Sequence, residues 1–210
     1  MTQDNLETSA SFPTAIYSIS KPEFLPEVSA VFEEKIKQQK AMRELDPLYP
    51  VAMTGNMYEE PKLNDFSMYI ASTAWNILNS QGYKVDDKIA YFHSMWGQEH
   101  YKSSSMEEHV HNDGVQIVGF YFLDCPENSS MMMFSDPRAG KIQASLMEAD
   151  PKVISMASTK VGYKPEAGKL YFTNSWLPHA FSRHGNDSPL KFIHFNLSVQ
   201  LAKQEEPVII

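Results

Sequence analysis

Seven histidines are the residues most able to do chemistry in this chain: His93, His100, His109, His111, His179, His184 and His194. Imidazole is the commonest side-chain metal ligand, and it is also a proton carrier near neutral pH. Spacing singles out His109-Val110-His111-Asn112-Asp113. On a β-strand, alternate side chains share a face, so His109 and His111 point the same way, and Asp113 joins them if the strand persists. Two ligands at that spacing cannot close a coordination sphere, so a third has to come from elsewhere. His179 is the best placed, because it follows the β-like run Lys169–Thr173 and the tight segment Asn174-Ser175-Trp176-Leu177-Pro178. Three protein ligands on one side of a cation, with the other side open, is the arrangement a non-haem Fe(II) site requires.

The elements that have to position these groups read as two helices followed by a β-rich region. Pro26 suits a first helical turn, and Val28, Val31, Phe32 and Ile36 then recur at helical spacing. The stretch Asp46–Pro61, with Pro47, Pro50, Gly55 and Pro61, is expected to be a loop. A second helix is predicted over Asp65–Ser80, striped by Phe66, Ile70, Ala74 and Ile77, with Asn64 or Asp65 as its cap and Gly82 at its end. Beyond Lys88, short runs rich in β-branched and aromatic residues alternate with turn residues. The predicted strands are Lys88–Trp96, Glu107–His111, Gln116–Leu123, Met131–Phe134, Lys152–Ala157, Lys169–Thr173 and Lys191–Val199. Such a series suggests a sandwich, jelly roll or barrel. Alternation turns His194 and Asn196 inward together, where His194 could orient a metal ligand from behind. Trp75, Trp96 and Trp176 are expected in the core or a pocket wall.

Composition sets the outer limits. The chain has 210 residues, 42% of them hydrophobic and 12% aromatic, enough for a packed core. Its formal net charge of −8 argues against binding nucleic acid or an anionic membrane surface. No apolar run is long enough to span a bilayer, and the N-terminus lacks both the basic start and the apolar stretch of a secretory signal. The single cysteine, Cys125, excludes an internal disulfide framework and fits a reducing cytoplasm. There is no Gly-rich phosphate loop, Gly-x-Ser-x-Gly elbow or Cys-x-x-Cys pair, so nucleotide, serine-hydrolase and structural-zinc chemistry have no footing.

Four stretches carry a resemblance. They are Ser11-Phe12-Pro13-Thr14-Ala15-Ile16-Tyr17; His109-Val110-His111 leading to Gly119-Phe120-Tyr121-Phe122-Leu123; Phe134-Ser135-Asp136-Pro137-Arg138; and Gly168 through Trp176-Leu177-Pro178-His179, with Phe195-Asn196 beyond. In this order they resemble the 2-oxoglutarate/Fe(II) oxygenase family that includes tailed-phage and bacterial members. The resemblance implies a mainly β fold with N-terminal helices: a double-stranded β-helix, or cupin-like jelly roll. One domain over residues 1–210 is expected, with residues 1–85 as helical support and 86–202 as the β core. The implied activity is a dioxygenase that hydroxylates a small-molecule or peptide substrate, with Fe(II) as cofactor and 2-oxoglutarate as co-substrate. The expected location is the cytoplasm, that of the host if phage-encoded.

His111 and His179 are ligands under either pattern the family allows. The third is His109 in a His-x-His pattern, or Asp113 in a His-x-Asp pattern, where a carboxylate would offset part of the metal's charge. The wider superfamily anchors the far carboxylate of 2-oxoglutarate with a basic residue, usually arginine, soon after the distal histidine. Here that place reads Ser188-Pro189-Leu190-Lys191-Phe192. Lys191 (191 − 179 = 12 residues after His179), Arg183 and Arg138 are the candidates, with the Tyr121 hydroxyl as a further partner for a bound acid. The missing arginine favours one rival, a three-histidine metal enzyme that does not use 2-oxoglutarate. The other rival is a jelly-roll binding or structural module with no metal.

Overall fold

A computed structural model of the chain describes residues 7–144 and 146–202. Its strands are β1 (Ile16–Ser20), β2 (Val51–Met53), β3 (Lys88–His100), β4 (Met106–His109), β5 (Ile117–Asp124), β6 (Met132–Ser135), β7 (Lys160–Tyr163), β8 (Lys169–Asn174), β9 (His179–Phe181) and β10 (Leu190–Leu201). The α-helices are α1 (Leu25–Met42), α2 (Asn64–Ser80) and the short α3 (Ala139–Ala144). Six strands form one sheet in the order β1-β8-β5-β10-β3-β2, and four form a second in the order β4-β9-β6-β7. Every recorded pairing is antiparallel. This is the expected mainly β, jelly-roll arrangement of two facing sheets, with helices packed on the outer face of the larger one.

The larger sheet is apolar on both faces, and alternation sorts its side chains. Tyr121 of β5, Leu170 and Phe172 of β8, and Ile193 and Phe195 of β10 pack toward α1 and α2. Their sequence neighbours Phe120, Phe122, Tyr171, Leu190 and Phe192 face the smaller sheet with Met132, Phe134 and Phe181. A strand buried on both sides has to read as a continuous apolar run, which is why Ile117–Leu123 shows no polar alternation. Helix α1 buries Val28, Val31, Phe32 and Ile36, the stripe its spacing predicts. Phe32 lies so close to β3 that a Cβ on Gly97 would meet its ring at 2.3 Å. Helix α2 buries Phe66, Ile70, Ala74 and Ile77.

Several elements differ from the sequence reading. The expected loop Asp46–Pro61 contains β2, which pairs with the end of β3 from Val51↔His100 to Met53↔Gln98. The N-terminal part of the chain thus supplies strands β1 and β2 to the larger sheet as well as helices. Helix α2 is entered through a one-turn 3₁₀ helix, Pro61–Leu63, so Asn64 already lies inside the helix and no side chain caps it. Lys152–Ala157 is not a strand; Val153, Ile154 and Met156 are exposed, and the strand falls instead on Lys160–Tyr163. Trp176 is 44% exposed and so stands outside the core. Trp75 is held by its Nε1–H, which donates to the carbonyls of Val85 and Lys88. Among the described residues, no helix is long and apolar enough to cross a membrane.

Candidate metal centre

Strands β4 and β9 lie side by side at one end of the smaller sheet, and their register sets His109 opposite His179. His111 follows two residues later, beyond the end of β4, where its backbone N–H donates to the Ser175 carbonyl at 3.0 Å. The three imidazoles converge. Ring centroids are 4.5 Å apart for His109–His179, 5.1 Å for His109–His111 and 5.2 Å for His111–His179. One ring nitrogen from each lies within 4.8 Å of the others.

Hydrogen bonding fixes which nitrogens face the hollow. His179 Nδ1 is 3.0 Å from the Leu177 carbonyl, and His109 Nδ1 is 2.8 Å from the Glu107 carbonyl. A carbonyl can only accept, so each Nδ1 carries the proton and each Nε2 keeps its lone pair. Nε2 of His111 and Nε2 of His179 are buried without any hydrogen-bond partner. Buried polar atoms are normally paired, so orphans aimed at one shared point are the signature of a site built for a ligand. Burial, and then the neighbouring imidazoles, hold His111 and His179 down to about 4. Both rings are therefore neutral at physiological pH, the form that binds a metal.

Asp113 lies apart from this group. The chain turns at Asn112, whose carbonyl accepts from Val115 N–H, and Asp113 sits exposed in that turn at φ 53°. Strand alternation ends before it, so its carboxylate is not among the converging ligand atoms.

The floor of the hollow is aromatic. His194 is fully buried, hydrogen-bonded through Nδ1 to the Gly119 carbonyl at 3.1 Å, with its ring 5.2 Å from that of His111. It stacks on Phe120 at 4.6 Å and meets the edge of Trp96 at 4.4 Å. Burial pushes its pKa well below the ordinary value. Asn196, two residues along the same face, donates to Ser94 Oγ at 3.0 Å and leaves its Oδ1 unpartnered. A cavity of about 970 Å³ is lined by Phe134 and Leu177 and extends to the N-terminal segment and to Arg138; Phe134, whose ring lies 6.3 Å from that of His179, separates it from the three imidazoles, none of which lines it.

The expected anchors for an acidic co-substrate are not gathered here. Lys191 occupies the outer face of β10 and pairs with Glu33 at 2.6 Å and Glu99 at 3.5 Å. Tyr121 faces the helices, against Phe66, and its hydroxyl donates to the Lys21 carbonyl at 2.8 Å. Both corrections have one cause: each residue has the wrong parity to enter the roll. Arg183 is exposed beyond β9. Arg138 lines the cavity but is held by Asp136 through two charge-assisted bonds of 2.9 and 2.7 Å. Cys125 is pushed up to about 12 by burial, which leaves it an inert thiol.

Spacing alone could not reveal two features. The Leu177 and Glu107 carbonyls that set the tautomers are backbone atoms and leave no mark in the sequence. The buried pair His100 and His184 sits at the other end of the roll. There His100 Nε2 meets Gln98 Oε1 at 2.8 Å, while His184 bonds Ser130 N–H and the Ser188 carbonyl.

Comparison with known proteins agrees with this geometry. No curated protein sequence matches the chain. Several solved structures share its fold. AviO1 from Streptomyces viridochromogenes Tue57 superposes with TM-score 0.63 at 12% identity, covering 92% of this chain and 93% of that one. A Pseudomonas putida prolyl-4-hydroxylase gives 0.57 at 10% identity, covering 87% and 92%. HygX from Streptomyces hygroscopicus, solved with nickel, 2-oxoglutarate and hygromycin B, gives 0.55 at 13% identity, covering 88% and 83%. At such identities the likeness is one of fold. The family model described as "Putative 2OG-Fe(II) oxygenase" matches residues 94–196, a span that includes all three converging imidazoles and the inner face beneath them. Over that span the chain is similar to the 2OG-Fe(II) oxygenase family.

Proposed function

We propose that His109, His111 and His179 hold the Fe(II) of this oxygenase through their Nε2 atoms, and that the enzyme hydroxylates a small molecule or peptide. One observation carries the ligand assignment: two buried Nε2 atoms have no partner, and the Nδ1–H groups of His109 and His179 are already committed to carbonyls. These carbonyls orient the rings and keep the lone pairs turned inward before any metal arrives. Together with 2-oxoglutarate, bound iron supplies the oxidising power to place one atom of dioxygen in the substrate and the other in succinate. Three neutral imidazoles leave the cation's charge uncompensated, which favours an acidic co-substrate on the open side. The aromatic floor of Phe120, Trp96 and His194 keeps water from the buried side.

The test is spectroscopic and chemical. Anaerobic addition of Fe(II) and then 2-oxoglutarate should give a visible charge-transfer band that His179→Ala abolishes, and admission of oxygen should release succinate. Wild-type protein that shows neither the band nor succinate refutes the proposal.

A further inference from the structure

The end of the roll away from the three imidazoles holds a second group of buried polar atoms without partners: His100 Nδ1, Ser104 Oγ and Ser130 Oγ. None of these residues is more than 1% exposed. His184 joins them. Its N–H donates to the Ser104 carbonyl at 2.8 Å, and Ser130 N–H donates to its Nδ1 at 3.3 Å. Among the described residues, His184 is also the one titratable neighbour that acts on the charge of His100. A single buried hydroxyl is readily met by water, but three unmet groups around one imidazole form a chamber suited to a polar guest.

This chamber lies in line with the candidate metal ligands. Phe181 stands two residues along β9 from His179, roughly 7 Å further down the roll, and its ring meets that of His100 at 5.5 Å. Phe120 touches both His179 and Phe181, and Phe192 lies 5.0 Å from His100. A molecule reaching from the imidazoles to the chamber therefore needs two polar ends and a short hydrocarbon middle. 2-Oxoglutarate has that form, and its far carboxylate requires a positive partner once it leaves water. His100 is the inward-facing base, directly across from Leu190 in the register of β3 and β10. Its Nε2 donates to Gln98 Oε1 at 2.8 Å, so Nδ1 is the nitrogen able to take a proton. Burial, and then His184, hold the ring neutral at about 3, and a carboxylate beside Nδ1 favours the imidazolium. His184 cannot supply this charge, because its Nδ1 accepts from Ser130 while its Nε2–H donates to the Ser188 carbonyl. Glu99, with its partners Lys40 and Lys191, is on the opposite face of β3, and Lys102, Arg183 and Asp187 are exposed.

We infer that His100 is the base that receives the far carboxylate of 2-oxoglutarate, with the hydroxyls of Ser104 and Ser130 as further donors, and that each molecule bound brings one proton from solvent to His100 Nδ1. The inference rests on the metal assignment above. The Nε2–H bond to Gln98 is kept throughout, and the proton is the sole species gained besides the ligand. Because proton and carboxylate bind together, affinity for 2-oxoglutarate rises as pH falls. A permanently charged guanidinium in the same role would give no such dependence.

The experiment is calorimetric titration of Mn(II)-loaded protein under nitrogen with 2-oxoglutarate and with 2-oxopentanoate, which keeps the chelating end but has an uncharged tail. Wild-type protein should bind 2-oxoglutarate about tenfold more tightly at pH 6 than at pH 8, while 2-oxopentanoate, which reports any effect of pH on the metal end, shifts by less than about threefold. At pH 6, titration in two buffers of different ionisation heat should show about one proton taken up with 2-oxoglutarate and none with 2-oxopentanoate. His100→Leu should still answer to Mn(II) but bind 2-oxoglutarate no better than 2-oxopentanoate, without pH dependence. Arg183→Met should keep the wild-type pattern. The wild-type arms decide the matter even if His100→Leu fails to fold. A 2-oxoglutarate affinity that does not change with pH, or that equals that of 2-oxopentanoate at pH 6, overturns the inference and leaves the metal centre standing. So does an Arg183→Met protein that loses the preference. A Mn(II) response followed by none to either acid overturns it together with the co-substrate assignment. No response to Mn(II) at all overturns both this inference and the metal assignment beneath it.

Discussion

Replacing His179 by leucine separates the role of this residue in metal binding from its role in the fold. The ring is fully buried against Phe120 and Phe134, and leucine fills nearly the same volume. Without metal, two effects oppose one another. The substitution removes an unpartnered buried nitrogen, whose desolvation costs about 1–3 kcal/mol. It also removes the hydrogen bond to the Leu177 carbonyl, worth about 0.5–1.5 kcal/mol. The metal-free variant should therefore melt at or slightly above the wild type. With metal at a hundred times its dissociation constant, the wild type gains about 2.7 kcal/mol. For a domain of this size each kcal/mol raises the melting temperature by about 2–4 °C, so the gain is about 5–11 °C. The variant should gain nothing. Differential scanning calorimetry with and without Mn(II), at neutral pH under nitrogen, reads both quantities. A variant that still rises by half the wild-type increment shows that His179 is not a ligand. A metal-free variant that melts far below the wild type shows that the site was not carrying an unmet polar atom.

Three further outcomes follow from the packing and the charges. A Cβ on Gly119 would lie 2.3 Å from the Tyr171 carbonyl oxygen and 2.4 Å from the Phe195 ring, so Gly119→Ala should cost about 3 kcal/mol or more in urea unfolding. His100 is held to about 3, chiefly by burial, whereas the unfolded chain takes up that proton near 6.5. Stability is lost as pH falls through this window, and between pH 6.5 and 4.5 His100→Leu should be spared about 2 kcal/mol of the loss the wild type suffers. Lys191→Met breaks surface-side pairs with Glu33 and Glu99, while Lys40 and Tyr101 still hold Glu99. Calorimetric stability should fall by about 1 kcal/mol, with Mn(II) and 2-oxo acid binding unchanged.

Much of the fold was legible because burial on one side leaves a period. The stripes of α1 and α2 are those their spacing gives, and the doubly buried strands β5, β8 and β10 stand out as apolar runs. The failures lie where pairing, not local preference, makes the element. Strand β2 is three residues inside a proline-rich stretch and exists because the end of β3 offers it an edge. Lys152–Ala157 has the composition of a strand but no neighbour to pair with, and its apolar residues stay exposed. Strand β9 was hidden by its three-residue length, yet it sets His179 opposite His109. In the same way, the choice between His109 and Asp113 depended on where β4 stops. The turn after Asn112, with Asp113 in the left-handed region, takes the carboxylate out of the group.

The placement of Lys191 shows why counting residues from a histidine identifies a position but not a face. A cation twelve residues after His179 satisfies the spacing, yet a strand offers two faces and a single step exchanges them. Lys191 pairs with Glu99 of β3, while Phe192 pairs with Gln98 of β3 and Phe122 of β5; the first pair belongs to the helical side and the second set to the roll. Moving Lys191 inward would carry Ile193 and Phe195 with it, out of the cluster that seats α1 and α2. The register is therefore fixed by several buried apolar side chains against one charge, and the charge yields. The same alternation that seats the helices keeps the interior of the roll free of lysine beside the three imidazoles.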